Sequence, residues 1–259
     1  MVLAGGRAAR LGGADKPGLV IGGRPLLDVV AGAAVAAGAK ELVIVGPRRP
    51  ELIRMPAGRE PDDGVRVRWA REDPPGSGPV PALRCGLAAV TTGLAVTAGS
   101  GATGGSGATG GSGATGGTDA AGGSAGARGP AVSGRAGPGA RQRAGPLVLV
   151  LAADLPFLRA GPLTALMRAA RGGAAPGGGT AAGAVLLDDG GQAQWLISCW
   201  QYGPLRAGLD VYGGRSLRGL FCALRPVRLS WPRAGDEPPP WLDCDTPEAV
   251  GQAQAWAGR

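Results

Sequence analysis

The chain is 259 residues long, carries a net charge of +8 and contains no histidine, which removes the usual base of Ser-His and Cys-His catalysis. The basic excess forms no dense Lys/Arg run with interleaved aromatics, so composition argues against a nucleic-acid partner. Hydrophobic residues make up 44% of the chain and aromatics only 4%, so the core is drawn mainly from Ala, Val and Leu.

In chain order, Val2 to Ala4 reads as the end of a strand that opens into a glycine-rich loop. Gly5, Gly6, Gly12 and Gly13 alternate there with Arg7, Arg10 and Lys16. Glycines let backbone N–H groups form a concave nest for phosphate, and the cations add charge where a polyphosphate would lie. The string is neither the Walker pattern nor Gly-x-Gly-x-x-Gly. Lys16 is one of only two lysines among 27 basic residues, and its compact charge suits a phosphate oxygen. The first strand is unusually short, which means either a clipped strand or a true start codon further upstream.

Leu19 to Ile21 is a brief extended run turned by Gly22-Gly23. Pro25 then starts a helix through Ala37, with apolar residues at 26, 27, 30 and 33–34 and Gly38 at its end. Glu41–Val45 reads as a buried parallel strand and Val65–Trp69 as a third strand. The loop Glu72-Asp73-Pro74-Pro75-Gly76-Ser77-Gly78 leads into a helix over Pro79–Val90.

From Gly93 to Gly145 the sequence is almost entirely Gly, Ala, Ser and Thr with scattered Arg and Pro. Ser-Gly-Ala-Thr-Gly-Gly repeats at 100–105, 106–111 and 112–117. No large apolar residue recurs there to be buried, so 93–145 reads as a low-complexity disordered insertion. The remainder, 1–92 with 146–259, is about 200 residues, the size of one domain.

Leu147–Ala153 is the strongest strand and reads as central; it ends in Asp154-Leu155-Pro156. A helix over Pro162–Ala170 follows. Strands Ala182–Leu187 and Gln194–Trp200 form a hairpin about Asp188-Asp189-Gly190-Gly191. Helical segments lie near Leu205–Val211 and Leu217–Leu224, with a last strand at Val227–Trp231. Thr246 caps a closing helix with Pro247 in its first turn. Strands and helices alternate, which implies an α/β fold with a mainly parallel sheet. The four cysteines are far apart and without Cys-x-x-Cys, and read as buried free thiols. No signal peptide or membrane-length apolar run is seen, which places the protein in the cytoplasm.

Leu3-Ala4-Gly5-Gly6, Arg10-Leu11-Gly12-Gly13 and Asp15-Lys16 together resemble the signature of the molybdenum cofactor guanylyltransferases. Asp154-Leu155-Pro156 is similar to that family's metal-binding Asp-x-Pro motif. Asp243-Cys244-Asp245-Thr246-Pro247-Glu248 is similar to its closing motif. The resemblance implies a Rossmann-like three-layer fold of the nucleotide-diphospho-sugar-transferase type. It implies transfer of GMP from Mg-GTP to molybdopterin with release of pyrophosphate, and neither nucleic acid nor membrane as partner. A monomer is compatible with it.

Residue by residue, it puts Leu3, Ala4, Gly5, Gly6, Gly12, Lys16, Asp73 and Gly78 on the nucleotide. It makes Lys16, Arg10 and Asp154 catalytic, with Asp154 and Asp245 on Mg²⁺. Asp73 is preferred to Glu72 for the acidic contact to the nucleotide. Gln194 lies where the family lines its pterin side, although a strand residue facing solvent fits it as well. Where some members carry an Asn that contacts guanine, this chain has Gly46-Pro47, so the base stays open. Alternatives are a CTP-dependent molybdopterin cytidylyltransferase, a sugar-phosphate nucleotidyltransferase, or a non-catalytic nucleotide-binding regulator.

Overall fold

The computed structural model describes residues 1–5, 15–54, 64–90, 145–174, 178–179 and 181–259. The strands among them, in chain order, are β1 (Val2–Leu3), β2 (Val20–Ile21), β3 (Arg24–Pro25), β4 (Glu41–Val45), β5 (Arg66–Ala70), β6 (Leu147–Ala152), β7 (Gly183–Leu187), β8 (Ala193–Gln201) and β9 (Val227–Ser230). Seven of them build the main sheet, in the spatial order β5-β4-β1-β6-β8-β7-β9. Of these, only β8 runs antiparallel to its neighbours. The sequence expectation of a mainly parallel sheet with Leu147–Ala153 at its centre is met: β6 is the fourth of seven.

The short strands β2 and β3 form a separate hairpin. Its turn residues Gly22 and Gly23 both take positive φ, as a two-residue turn between right-twisted strands requires.

Residue alternation along the strands sorts the core into two layers. Val2, Leu42, Ile44, Leu149 and Leu151 face one side, where α1 (Leu26–Ala36) and α3 (Ala160–Gly172) bury Leu27, Val30, Leu163 and Leu166. Leu3, Val43, Val45, Val148 and Val150 face the other, against α2 (Pro79–Ala89), α4 (Tyr202–Val211) and α5 (Leu217–Ala223). Trp200 stacks on Phe221 in this second layer, with ring centroids 4.4 Å apart. The helix α2 lies close to the sheet because residue 86 is Gly: a Cβ there would come within 2.5 Å of the Met1 sulfur.

Asp28 is buried at the first turn of α1. It accepts from the Arg24 guanidinium at 2.8 and 2.9 Å and from the Arg54 backbone N–H at 2.7 Å. That carboxylate therefore ties the β2–β3 hairpin and the segment after β4 to α1. The closing helix α6 (Pro247–Ala257) begins where expected: the Thr246 hydroxyl accepts from Ala249 N at 3.2 Å. Ala253 of α6 packs with Ile21, Leu26 and Cys244 in a third, small cluster.

The cysteines are all free, but burial holds only for Cys199 and Cys244. Cys222 is exposed on α5 and Cys85 is half-buried on α2, because each lies on a helix flank rather than in a strand. Among the described residues no helix is long and apolar enough to cross a membrane. The described residues fall in one compact unit, Met1–Thr92 with Ala144–Arg259. The low-complexity insertion assigned to 93–145 lies, but for Gly145, outside them.

Candidate active site

The chain runs outward from β1 through β4 to β5, then returns to the opposite side of β1 as β6. Such a reversal of strand order opens a crevice at the carboxyl ends of the strands, where ligands of open α/β sheets bind. Here the crevice is a cavity of about 310 Å³. Leu3, Ala4 and Gly5 after β1, and Ala152, Ala153 and Asp154 after β6, line it. Lys16 and Pro17, Glu72, Gly76 and Gly78 with Pro79 and Ala82 of α2, and Leu196 of β8 complete the wall.

Three carboxylates and one ammonium gather at one end. The Lys16 ammonium donates to Asp245 Oδ1 and lies 3.7 Å from Asp154 Oδ2. They come from Lys16, Asp154, Asp243 and Asp245, and one backbone bond explains the meeting: Cys244 N–H donates to Asp154 O at 3.1 Å. With Cys244 buried as a plug, Asp243 and Asp245 on either side of it are carried to the end of β6.

Burial pushes the Asp154 carboxyl up to about 6. Lys16 pulls against that, and the charges of Asp245 and Asp243 add to it. Asp243 is raised in the same direction, by burial and then by Asp245. Burial alone would lower Lys16, but its bond to Asp245 and the charges of Asp154, Asp245 and Asp243 raise it overall. The cluster is therefore an over-acidic pocket end that holds a cation.

Among the described residues, no group of three or more His, Cys, Asp or Glu is arranged to hold a metal ion. The pair Asp154 and Asp245 does converge on one positive charge, the Lys16 ammonium. Asp154 on the cavity wall, with Asp245 beside it across the Lys16 ammonium, fits Mg²⁺, which takes one or two carboxylates and fills its remaining positions with water and phosphate.

Lys16, Asp154, Leu3, Ala4, Gly5 and Gly78 thus all reach the cavity wall, and Asp245 reaches Lys16. Asp73 does not line the cavity: it is exposed, and its neighbour Glu72 is the buried acid on the wall. Glu72 turns inward because its Oε1 accepts from Gly76 N at 3.0 Å, closing the loop before α2. The sequence offers both acids, and only the loop closure, which has no period to read, separates them. Gly6, Arg10 and Gly12 lie outside the described residues. Gln194, the candidate for a pterin contact, donates to Asp188 Oδ2 at 2.8 Å within the β7–β8 turn.

Gly46 has a structural reason. Its φ is +153°, and a Cβ there would lie 2.8 Å from the Ala4 carbonyl carbon and 3.1 Å from Gly5 N. Ala4 and Gly5 rest directly on it, so no side chain fits in this backbone. Gly46→Ala is expected to cost about 1–3 kcal/mol by forcing the two segments apart. It should also weaken nucleotide binding; urea unfolding and nucleotide titration check both.

A family model described as the MobA-like NTP transferase domain matches residues 1–99. Over those residues the chain is similar to that domain. No curated protein matches the sequence significantly. Solved structures do match the fold. A nucleotidyl transferase from Methanothermobacter thermautotroptrophicus is 17% identical with a TM-score of 0.57, covering 100% of this chain and 96% of that one. The molybdopterin-guanine dinucleotide biosynthesis protein A of Archaeoglobus fulgidus is 13% identical with a TM-score of 0.54, covering 99% and 97%. The 2-C-methyl-D-erythritol 4-phosphate cytidylyltransferase of Thermus thermophilus is 17% identical with a TM-score of 0.50, covering 100% and 98%. The α/β architecture read from the sequence is therefore the fold of these solved structures. The stretch matched by the MobA-like model holds the glycine-rich segment after β1, Lys16 and Glu72; Asp154 and Asp245 lie beyond it.

Proposed function

We propose that this MobA-like protein transfers GMP from Mg-GTP to molybdopterin, releasing pyrophosphate, in the cytoplasm. The observation that carries the reading is the meeting of Lys16, Asp154 and Asp245 beside the cavity at the switch point between β1 and β6. Chemistry at a phosphate depends chiefly on positioning and on neutralising charge, and a lysine with paired carboxylates supplies both.

In this reading, backbone from Ala4 and Gly5, continued by Gly6 and Gly12, cradles the triphosphate. Lys16, with Arg10, offsets charge that grows on the leaving pyrophosphate. Asp154 and Asp245 would hold Mg²⁺, which would supply charge neutralisation at the phosphates. A phosphate oxygen of the pterin forms the new bond to the α-phosphorus as the bond between the α-phosphorus and the bridging oxygen breaks. That oxygen is already ionised at neutral pH, so the lack of histidine leaves no proton transfer unserved.

The test is pyrophosphate release with each of the four ribonucleoside triphosphates, with and without molybdopterin and Mg²⁺. Release with GTP that requires molybdopterin supports the proposal. Release with CTP instead marks the cytidylyl branch, and release with a sugar phosphate alone marks another acceptor. No release with any pair of substrates would overturn a catalytic role and leave a nucleotide-binding regulator.

A further inference from the structure

In the free protein the Lys16 ammonium is already engaged. It donates to Asp245 Oδ1 and lies 3.7 Å from Asp154 Oδ2, and the charge of Asp243 also bears on it. The point on which the two carboxylates converge is therefore filled by a positive charge of the chain's own. A divalent cation and an ammonium cannot share that point, because like charges so close together repel strongly.

The backbone beneath Lys16 is pinned on both sides. Asp15, just before it, is paired with Arg49. Gly18 N–H donates to Asp15 O and Leu19 N–H to Lys16 O, both at 3.1 Å. The side chain is not pinned in the same way: a lysine carries its compact charge on a flexible four-carbon stem. Lys16 also lines the cavity, in company with Gly5 and Asp154. The carboxylates it holds now and a phosphate lodged in the cavity are thus both within reach of one ammonium, from one fixed backbone position.

We propose that Lys16 plugs the cation position of its own site: the free protein takes up a divalent cation tightly only with a polyphosphate that draws the ammonium off Asp154 and Asp245. This rests on the proposed function for a metal at those two carboxylates and for a polyphosphate ligand, but not on the base or the acceptor. The coupling is reciprocal. Whatever lifts Lys16 from the carboxylates promotes the cation, and the cation frees Lys16 for the phosphates. Metal and nucleotide then enter together, and the free protein stays closed to the metal alone.

The test reads metal binding to the free protein, with Mn²⁺ as the probe and no nucleotide present. Calorimetry at pH 7.5 gives the Mn²⁺ affinity of the wild type, Lys16→Met, Lys16→Gln and Asp154→Asn. Lys16→Met is expected to bind Mn²⁺ roughly 10- to 100-fold more tightly than the wild type, within the usual range of coupling between sites. Lys16→Gln removes the charge but keeps a donor for Asp245; it should gain in the same direction and serves if Lys16→Met does not fold. Mn²⁺ should also raise the melting temperature of the Lys16 variants more than that of the wild type. Adding Asp154→Asn to either should abolish the gain. A gain that survives Asp154→Asn would overturn the proposal, since it would come from general negative charge. Equal Mn²⁺ affinity in the wild type and the Lys16 variants, lost with Asp154→Asn, would overturn the plug and leave the metal assignment standing. Weaker binding in the Lys16 variants would overturn it in the same way. No Mn²⁺ binding to any of them would overturn the plug together with the assignment of Asp154 and Asp245 to a metal.

Discussion

Asp154→Asn is expected to lower turnover at least a hundredfold and, at the same time, to raise the melting temperature. The first effect follows from removing a carboxylate that faces the phosphates and the proposed metal, on the scale seen when an electrostatic group is deleted from an active site. The second follows from the surroundings of Asp154 in the free protein. Its carboxyl is pushed up to about 6, by burial first, with Asp245 and Asp243 adding to it against the pull of Lys16. An unfolded aspartate titrates near 3.8.

Between those two values the native state holds a proton that the unfolded chain has released. Stability therefore falls as pH rises through this window, and the cost is fully present above about 6. It amounts to about 2–3 kcal/mol at neutral pH. Asparagine keeps the shape without the charge, so the variant should melt roughly 5 °C higher at pH 7.5 in a domain of this size. The gain should vanish near pH 4. Thermal melts across pH, without Mg²⁺ or nucleotide, check the sign. A variant that melts lower than wild type at pH 7.5 would show that the Lys16 contact outweighs the burial and repulsion.

Lys16→Met should lower turnover by a similar factor but move stability in the opposite direction. The ammonium is the only cation that any of the described contacts gives to Asp154 and Asp245. Its raised affinity for protons means that its contribution is present through neutral pH and is lost only above the ordinary lysine range. Without it three carboxylates face one another, and the protein should lose about 1–3 kcal/mol at pH 7.5. The loss should shrink on acidification, as Asp154 and Asp243 take up protons. The two variants together, alike in activity and opposed in stability, separate an acidic cluster kept for catalysis from an ion pair kept for folding. Combining them should return stability close to wild type while activity stays low, because Asp154→Asn relieves the repulsion that Lys16→Met exposes.

Much of this site was legible before the fold. Val-Leu-Val-Leu at 148–151 could only be a strand buried on both faces, and Asp154 at its end could only lie on the ligand-binding rim of an open sheet. Lys16 stood out because the composition avoids lysine. Thr246-Pro247 announced a helix start by its own chemistry. The meeting of Lys16 with Asp245 was less accessible: it depends on the Cys244 N–H pairing with the Asp154 carbonyl, a loop-to-loop contact with no periodic trace. The inward turn of Glu72 rather than Asp73 was hidden for the same reason. Gly46 read as a missing recognition residue, whereas the fold makes it a point of backbone contact with Ala4. Its φ of +153° is visible only in three dimensions.

The pairing of β8 has one irregular stretch. Ser198 faces Val185 on β7, yet the next β7 residue, Leu186, faces Gln194, so residues 195–197 of β8 oppose nothing on that side. Pairing with β6 resumes only at Ile197. Leu196 is therefore held by neither ladder while its side chain forms part of the cavity wall. Substitutions there can widen or narrow the chamber with little penalty to strand register. That makes position 196 a natural place for a lineage, or an engineer, to reshape the cavity without disturbing the residues at its rim.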